Sequence, residues 1–305
     1  MSGTAADTLE NYRKYTEWVF REDIMGTLYV VGTPIGNMDD VTFRQLKVLE
    51  SVDFIIAEDT RVTLKLLNRY EIKKTLVSYH GHSKKSCAEE IAERIMNGEN
   101  AAIVTDAGMP CISDPGEELV KICALRNIDI KVVPGPSAVV SALAVSGLNT
   151  SRFSFEGFLS VNKKQRYDHL ESVKNDIRTL IFYEAPHKLI ASLEDFLKYF
   201  GDRKISLCRE LTKIHEEVLR MSISEAIEYY KIQKPKGEYV LVIEGADEKD
   251  NVQKVSLDQA AEYAEQLIEN GEKAVNACKI AAKETGYTKS QLYSIVCGKK
   301  NDEWR

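Results

Sequence analysis

The chain has 305 residues and a formal net charge of −6, which excludes a protein that coats nucleic acid by bulk electrostatics and confines any RNA contact to a local basic patch. Apolar residues make up 44% and charged residues 29%, the balance of an ordinary soluble globular protein, and the length suggests two domains with cores that need neither staples nor metals. The six cysteines show no C-x-x-C spacing and no histidine at metal-ligand spacing, so they read as free thiols of a reducing compartment, and no metal site is expected.

No apolar run approaches the ~20 residues of a membrane span. Residues 1–25 mix charges with aromatics, as in Tyr12, Arg13, Lys14, Tyr15, Glu17 and Trp18, and lack the apolar core of a signal peptide. They read as an N-terminal extension of a cytoplasmic protein, with no membrane partner.

From Gly26 onward short apolar runs alternate with amphipathic stretches. Strands are predicted at Thr27–Val31, Asp53–Ala57, Thr75–Ser78, Ala101–Thr105 and Ile130–Val133. Their continuous apolar runs suit strands covered on both faces. Between them Thr42 with Gln45, and Ser86 with Glu89, read as capping boxes. Asp114-Pro115 reads as an N-cap followed by proline at the first helical position. Asn97-Gly98 and Gly147 read as helix stops. The β-α alternation predicts a parallel sheet with helices on both faces.

The residues after each strand are of one kind. They are Gly32-Thr33-Pro34-Ile35-Gly36-Asn37, then Glu58-Asp59-Thr60-Arg61, then Tyr79 to His82, then Asp106 to Gly116, then Pro134-Gly135-Pro136-Ser137. In a parallel sheet these loops emerge at one carboxyl edge, where open α/β sheets bind ligands. The first loop lacks the Gly-Lys-Ser/Thr ending of a phosphate loop and the full G-x-G-x-x-G spacing. The fourth has few cations; Asp106 and Asp114 suit a ligand with amino, hydroxyl or sulfonium character.

In the second half, strands are predicted at Arg152–Leu159, Arg178–Tyr183, Ile205–Arg209, Glu217–Ser222 and Glu238–Glu244, with helices at Lys188–Tyr199 and Ser224–Lys231. This gives a mixed sheet and a cleft between two α/β units. The tail from Leu257 to Gly298 has a helical pattern broken at Asn270-Gly271 and Thr285-Gly286; its last two segments resemble a helix-turn-helix, but the tail suits a helical cap or dimer element better. The expected division is 1–25, 26–148, 149–246 and a helical tail, 247–305.

Taken together, Thr33 to Asn37, Glu58 to Arg61, Thr105 to Gly116 and Val133 to Ala138 resemble one family. So do Glu156 to Leu159, Phe182 to His187, Arg209 to Lys213 and Lys236 to Glu238. That family is the bacterial 16S ribosomal RNA (cytidine-2′-O)-methyltransferases, within the tetrapyrrole methylase superfamily, and the strings follow in its order over residues 26–246. The resemblance implies a two-domain α/β architecture with a five-stranded parallel N-terminal sheet, a mixed C-terminal sheet and S-adenosylmethionine in the cleft. It implies a homodimer, and 16S rRNA or the 30S subunit as substrate, methylated on the 2′-hydroxyl of a cytidine in the decoding region. Carried over by motif, the cofactor contacts are Pro34, Ala107, Gly108, Met109, Ile112, Ser137, Ala138, Glu184 and Leu211, with Asp106 and Ser113 from the same fourth loop. Tetrapyrrole-acting relatives carry Gly-Pro-Gly-Asp in the first loop and Gly-Asp-Pro in the fourth. The different residues here favour the RNA branch over the second reading, methylation of a tetrapyrrole or other small acceptor.

Candidate bases or orienters are Glu58, Asp59, His80 and Glu184, with Arg61 as a clamp on phosphate or carboxylate. Glu58 to Arg61 also reads as a helix start, with acids favourable to its dipole, and His80 as a hydrogen-bonded loop histidine. For RNA the best basic cluster is Lys163, Lys164 and Arg166, joined by His187, Arg209 and Lys213. Such a run also suits a solvated helix face.

Overall fold

The computed structural model describes residues 25–81, 83, 85–247 and 256–302. The expected extension before Met25, and His82, lie outside the described residues. Among those described, no helix is long and apolar enough to cross a membrane.

The first sheet holds β1 (Thr27–Val31), β2 (Phe54–Ala57), β3 (Thr75–Ser78), β4 (Ala101–Val104) and β5 (Asp129–Val133), in the order β3-β2-β4-β1-β5. Every pairing is parallel. β2 and β4 are buried along their whole length, as their unbroken apolar runs require. The helices around them are α1 (Phe43–Ser51), α2 (Thr60–Arg69), α3 (Lys85–Met96), α4 (Glu117–Leu125) and α5 (Ala138–Ser146). Two cores result. Leu28, Phe54, Ile56 and Ile103 pack against α3 and α4 on one face. Val31, Ile55, Ala57 and Val104 pack against α1 and α2 on the other.

The capping box of α1 forms as expected: Thr42 Oγ1 accepts from Gln45 N, and Gln45 returns a bond to Thr42 N. Two other helix starts are corrected. Ser86 lies inside α3, which already begins at Lys85. Asp114 is not the cap of α4, whose N-cap is Gly116 at φ 129°. The chain before it runs through left-handed residues, Cys111 at φ 69° and Ser113 at φ 60°, and this delays the helix and leaves Asp114 on the loop.

The second sheet holds β6 (Phe153–Phe158), β7 (Thr179–Glu184), β8 (Lys204–Arg209), β9 (Glu217–Ser222) and β10 (Tyr239–Ile243), in the order β6-β7-β10-β8-β9. β6 and β7 are parallel and the rest antiparallel, the expected mixed sheet. α6 (Lys163–Val173), α7 (Leu189–Phe200) and α8 (Ile223–Ile232) belong to this half. Leu180, Phe182, Leu193, Phe196 and Leu241 form a core with them on one face. The other face receives α5 from the first half, through Val139, Ala142 and Leu143 against Ile181, Cys208, Val240 and Val242. Burial against the second sheet explains the apolar face of α5 at Val139, Ala142 and Leu143, while Val140 and Val145 on its other side are exposed. The tail forms three helices, α9 (Leu257–Glu269), α10 (Ala274–Thr285) and α11 (Lys289–Asp302), around a small core of Ala260, Ala264, Cys278, Ala281 and Leu292.

Candidate active site

The carboxyl edge of the first sheet faces the second sheet across a cavity of about 1000 Å³. Its near wall is built from the loops after β1, β4 and β5. Thr33 and Gly108 form a two-residue bridge, Thr33 N to Gly108 O at 2.8 Å and Gly108 N to Thr33 O at 3.1 Å. Thr33 Oγ1 also donates to Thr105 O at 3.0 Å. The first and fourth loops are thus one unit, and Gly108, at φ 89°, takes a conformation that only glycine adopts freely. The first loop also reaches across the cleft. A Cβ on Gly36 would stand 2.5 Å from Lys213 Cγ and 3.0 Å from Leu211 O, and Asn37 N donates to Thr212 Oγ1 at 3.0 Å.

Of the expected cofactor contacts, Asp106, Ala107, Gly108, Met109, Ile112, Ser113, Ser137, Ala138, Glu184 and Leu211 line this cavity. Pro34 does not; its neighbour Ile35 does. Ser137 stands at the N-cap of α5 yet makes no capping bond, so its hydroxyl remains available to a ligand.

Three carboxylates of the first half line the cavity: Glu58, Asp106 and Asp114. Glu58 Oε2 accepts from Thr105 Oγ1 at 2.6 Å, and Asp106 Oδ1 accepts from Asp59 N at 3.2 Å. Burial, and then the charge of Glu58, push the Asp114 carboxyl up to about 6. The same causes raise Asp106. An acid wall of this kind favours a cationic ligand, which would restore the charged forms.

The other candidates separate cleanly. Asp59 is the N-cap of α2, accepting from Arg61 N at 2.8 Å. The Arg61 guanidinium bonds the same carboxylate at 3.0 and 2.5 Å and holds it down to about 2. Neither residue lines the cavity, and neither does His80, whose backbone N–H donates to Ser83 Oγ at 2.9 Å. Glu184 does line it, but it is buried and occupied: Oε1 accepts from Ala185 N at 2.8 Å and Oε2 accepts from Ser192 Oγ. Glu58 therefore remains from the expected bases, joined by Asp114.

The basic cluster is also reordered. Lys163 and Lys164 are exposed at the start of α6. Arg166 is buried, with Nε bonded to Asp195 Oδ2 at 2.5 Å and Nη2 to Ser192 Oγ at 3.3 Å. Its bonds to Asp195 and Ser192 draw it against α7, so it leaves the exposed cluster. Arg209 pairs with Glu217 at 3.0 Å. Lys213 lines the cavity, held by Glu210 and Glu238 at 2.9 Å each. His187 is exposed beside Pro186, which lines the cavity.

The sequence reading missed the far wall. Phe153, Phe155, Phe158 and Tyr183 line the cavity from β6 and β7. Phe155 and Phe158 lie 4.9 and 5.3 Å from Tyr183 between ring centroids. Alternation along β6 gives 153 and 155 one face but puts 158 on the other, so no periodicity signal marked the set.

Residues 27–227 match the family described as Tetrapyrrole (Corrin/Porphyrin) Methylases. The chain is 44% identical to "Ribosomal RNA small subunit methyltransferase I" of Halalkalibacterium halodurans, over 90% of this chain and 96% of the relative. It is 48% identical to the protein of that name from Thermotoga maritima, over 73% of this chain and 100% of the relative. Among solved structures it resembles the methyltransferase CobJ, at TM-score 0.56 and 18% identity, over 72% of this chain and 95% of that one. It also resembles diphthine synthase, at TM-score 0.56 and 12% identity, over 72% and 89%; these two likenesses concern the fold. The chain is a methyltransferase of the tetrapyrrole (corrin/porphyrin) methylase family and belongs with the ribosomal RNA small subunit methyltransferase I proteins.

Proposed function

We propose that this protein transfers a methyl group from S-adenosylmethionine to the 2′-hydroxyl of a cytidine in the decoding region of 16S rRNA. The observation that carries the cofactor is the make-up of the cavity. Glu58, Asp106 and Asp114 suit a ligand bearing sulfonium and ammonium charges, and Ile35, Met109, Ile112 and Leu211 suit its apolar body. The cavity is large enough for a drug-sized molecule and part of a second one. The RNA acceptor rests on the names of the relatives and on the resemblance of the loops to the RNA branch.

When bound, the cofactor supplies an electrophilic methyl group on a sulfonium. The protein's own contribution is positioning. The Thr33–Gly108 bridge fixes the loop that lines the cofactor side. The carboxylates of Glu58 and Asp114 face the same space, and a ribose hydroxyl needs a proton acceptor; such a group contributes about 10²–10⁴-fold. Asp114, raised to about 6 by its burial, is matched to that role near neutral pH. Lys163 and Lys164, exposed in the first turn of α6, are set against the helix dipole, and RNA phosphate would relieve that opposition. A homodimer is proposed as well, using the exposed Val132 on the edge strand β5 and Val145 on α5.

The test is methyl transfer from labelled S-adenosylmethionine to 30S subunits lacking ribose methylation, with the product nucleoside identified by mass spectrometry. 2′-O-methylcytidine is expected. Cofactor binding without transfer to subunits would overturn the RNA acceptor in favour of a small one.

A further inference from the structure

The aromatic far wall depends on one irregularity. β6 pairs with β7 in register up to Phe155↔Ile181, skips Glu156, and resumes with Gly157↔Phe182 and Phe158↔Tyr183. The extra residue shifts the side-chain phase. Phe153, Phe155 and Phe158 therefore share one face although Phe158 is out of step in sequence, and all three line the cavity. Gly157 makes the slip possible at φ 66°, and its missing Cβ would stand 3.4 Å from Ser113 Oγ on the fourth loop of the first half. Glu156 turns the other way and bonds His169 Nε2 at 2.9 Å. His169 lies on α6, the helix that opens with Lys163 and Lys164. The bulge thus joins three things: the aromatic wall, the loop lining the cofactor side, and the helix bearing the exposed lysines.

The wall is graded. Phe155 is half-buried against Tyr183, whereas Phe153 is 41% and Phe158 58% exposed. Exposed rings grouped along one wall of a cavity mark a binding surface. We infer that this wall is a stacking subsite for an unstacked nucleobase of single-stranded RNA, with Phe158 as the contact ring and Lys163 and Lys164 on the adjoining phosphates. The occupant follows from the chemistry. The three phenylalanine rings offer π faces without donors or acceptors, and Lys163 and Lys164 stand exposed at the start of the helix that follows β6. Aromatic rings beside cations are the means by which proteins hold single strands. The acid wall opposite would repel the phosphates, which fixes the polarity: base and ribose inward, phosphates outward over α6. The inference rests on the RNA acceptor proposed above.

The test uses the full chain and a short single-stranded oligoribonucleotide carrying one fluorescent pyrrolocytidine. S-adenosylhomocysteine binding is measured in parallel by calorimetry. The native protein is expected to quench the probe. Phe158→Ala should weaken probe binding about tenfold and remove the quenching, while S-adenosylhomocysteine affinity stays within about twofold. Phe158→Leu, which keeps apolar bulk, should behave like Phe158→Ala, and Phe158→Trp should restore quenching. Undiminished quenching in Phe158→Ala, or no quenching by the native protein, overturns the proposal. So does a loss of S-adenosylhomocysteine affinity equal to the loss of RNA affinity, which would give the wall to the cofactor's adenine. A native protein that quenches the probe yet methylates no 30S subunit would support the stacking wall and sink the methyl-acceptor reading separately.

Discussion

Gly32 is where the first loop meets the backbone of the fifth, and Gly32→Ala tests whether the two loops must touch. A Cβ there would stand 2.8 Å from Gly135 Cα, 2.9 Å from Gly135 N and 2.7 Å from Met109 Sδ. The thioether can swing aside, but the Gly135 backbone follows β5 directly and cannot retreat without disturbing the sheet edge. Ordinary contact begins near 3.4 Å, so the two loops must part by roughly half an ångström, an overpacking cost of about 1–3 kcal/mol. At about 2.1 cal/mol/K of unfolding entropy per residue, that is a Tm lower by about 2–5 °C in a chain of this size. Because Met109 lines the cavity, cofactor affinity should fall with it, by about tenfold if 1.4 kcal/mol of the strain is released on unbinding. Thermal unfolding and calorimetric cofactor binding measure the two effects. Two glycines calibrate them. Gly81 has nothing within 4 Å and an ordinary backbone, so Gly81→Ala should stay within about 0.5 kcal/mol. Gly201 also has open space but sits at φ 76° and ψ −171°, a region essentially reserved for glycine, so Gly201→Ala should show backbone strain alone, about 1–3 kcal/mol. A Gly32→Ala protein with the Tm and cofactor affinity of Gly81→Ala would refute the loop-contact argument.

Asp114 sets a pH dependence whose sign can be worked out. Its carboxyl is raised from 3.8 to about 6 by burial and then by Glu58, so its contribution to the stability of the ligand-free protein is complete below 3.8 and lost as pH rises through about 6. Methyl transfer should run the opposite way, rising through about pH 6 as the carboxylate forms; Asp114→Asn should flatten that rise and lower kcat, and an unchanged profile would remove Asp114 from the chemistry. Lys163→Glu with Lys164→Glu should weaken RNA binding while cofactor affinity and Tm hold, as both are exposed; equal RNA affinity would discard the patch. Arg166→Ala should instead cost about 2–4 kcal/mol of stability by stranding Asp195, seen in denaturant melts, and a neutral result would contradict the burial of that pair.

What the sequence by itself determined were the features set by short-range chemistry. The period of the apolar runs identified the strands, the Thr42–Gln45 box started α1, and Gly147 ended α5 in the left-handed conformation. The parallel order then followed, and with it the collection of loops at one edge, because a βα alternation leaves few other arrangements. The loops that line the near wall of the cavity were legible for that reason, whereas the individual contacts within them came from the resemblance of the motifs.

What only the tertiary structure decided were the partners of side chains far apart in sequence. Glu58-Asp59-Thr60-Arg61 read equally as machinery or as a helix start, and the fold divides it: Glu58 faces the cavity, while Asp59 caps α2 and is taken up by Arg61. Arg166 stood with the lysines in sequence, but Asp195 and Ser192 on α7 draw it inside. Asp114 looked like a helix cap until the left-handed turns at Cys111 and Ser113 set it facing the cleft. Phe158 had the wrong parity for its neighbours, and a single bulge against β7 reversed it. In each case local pattern fixes an element, whereas the facing of one residue depends on a neighbour that the pattern does not contain.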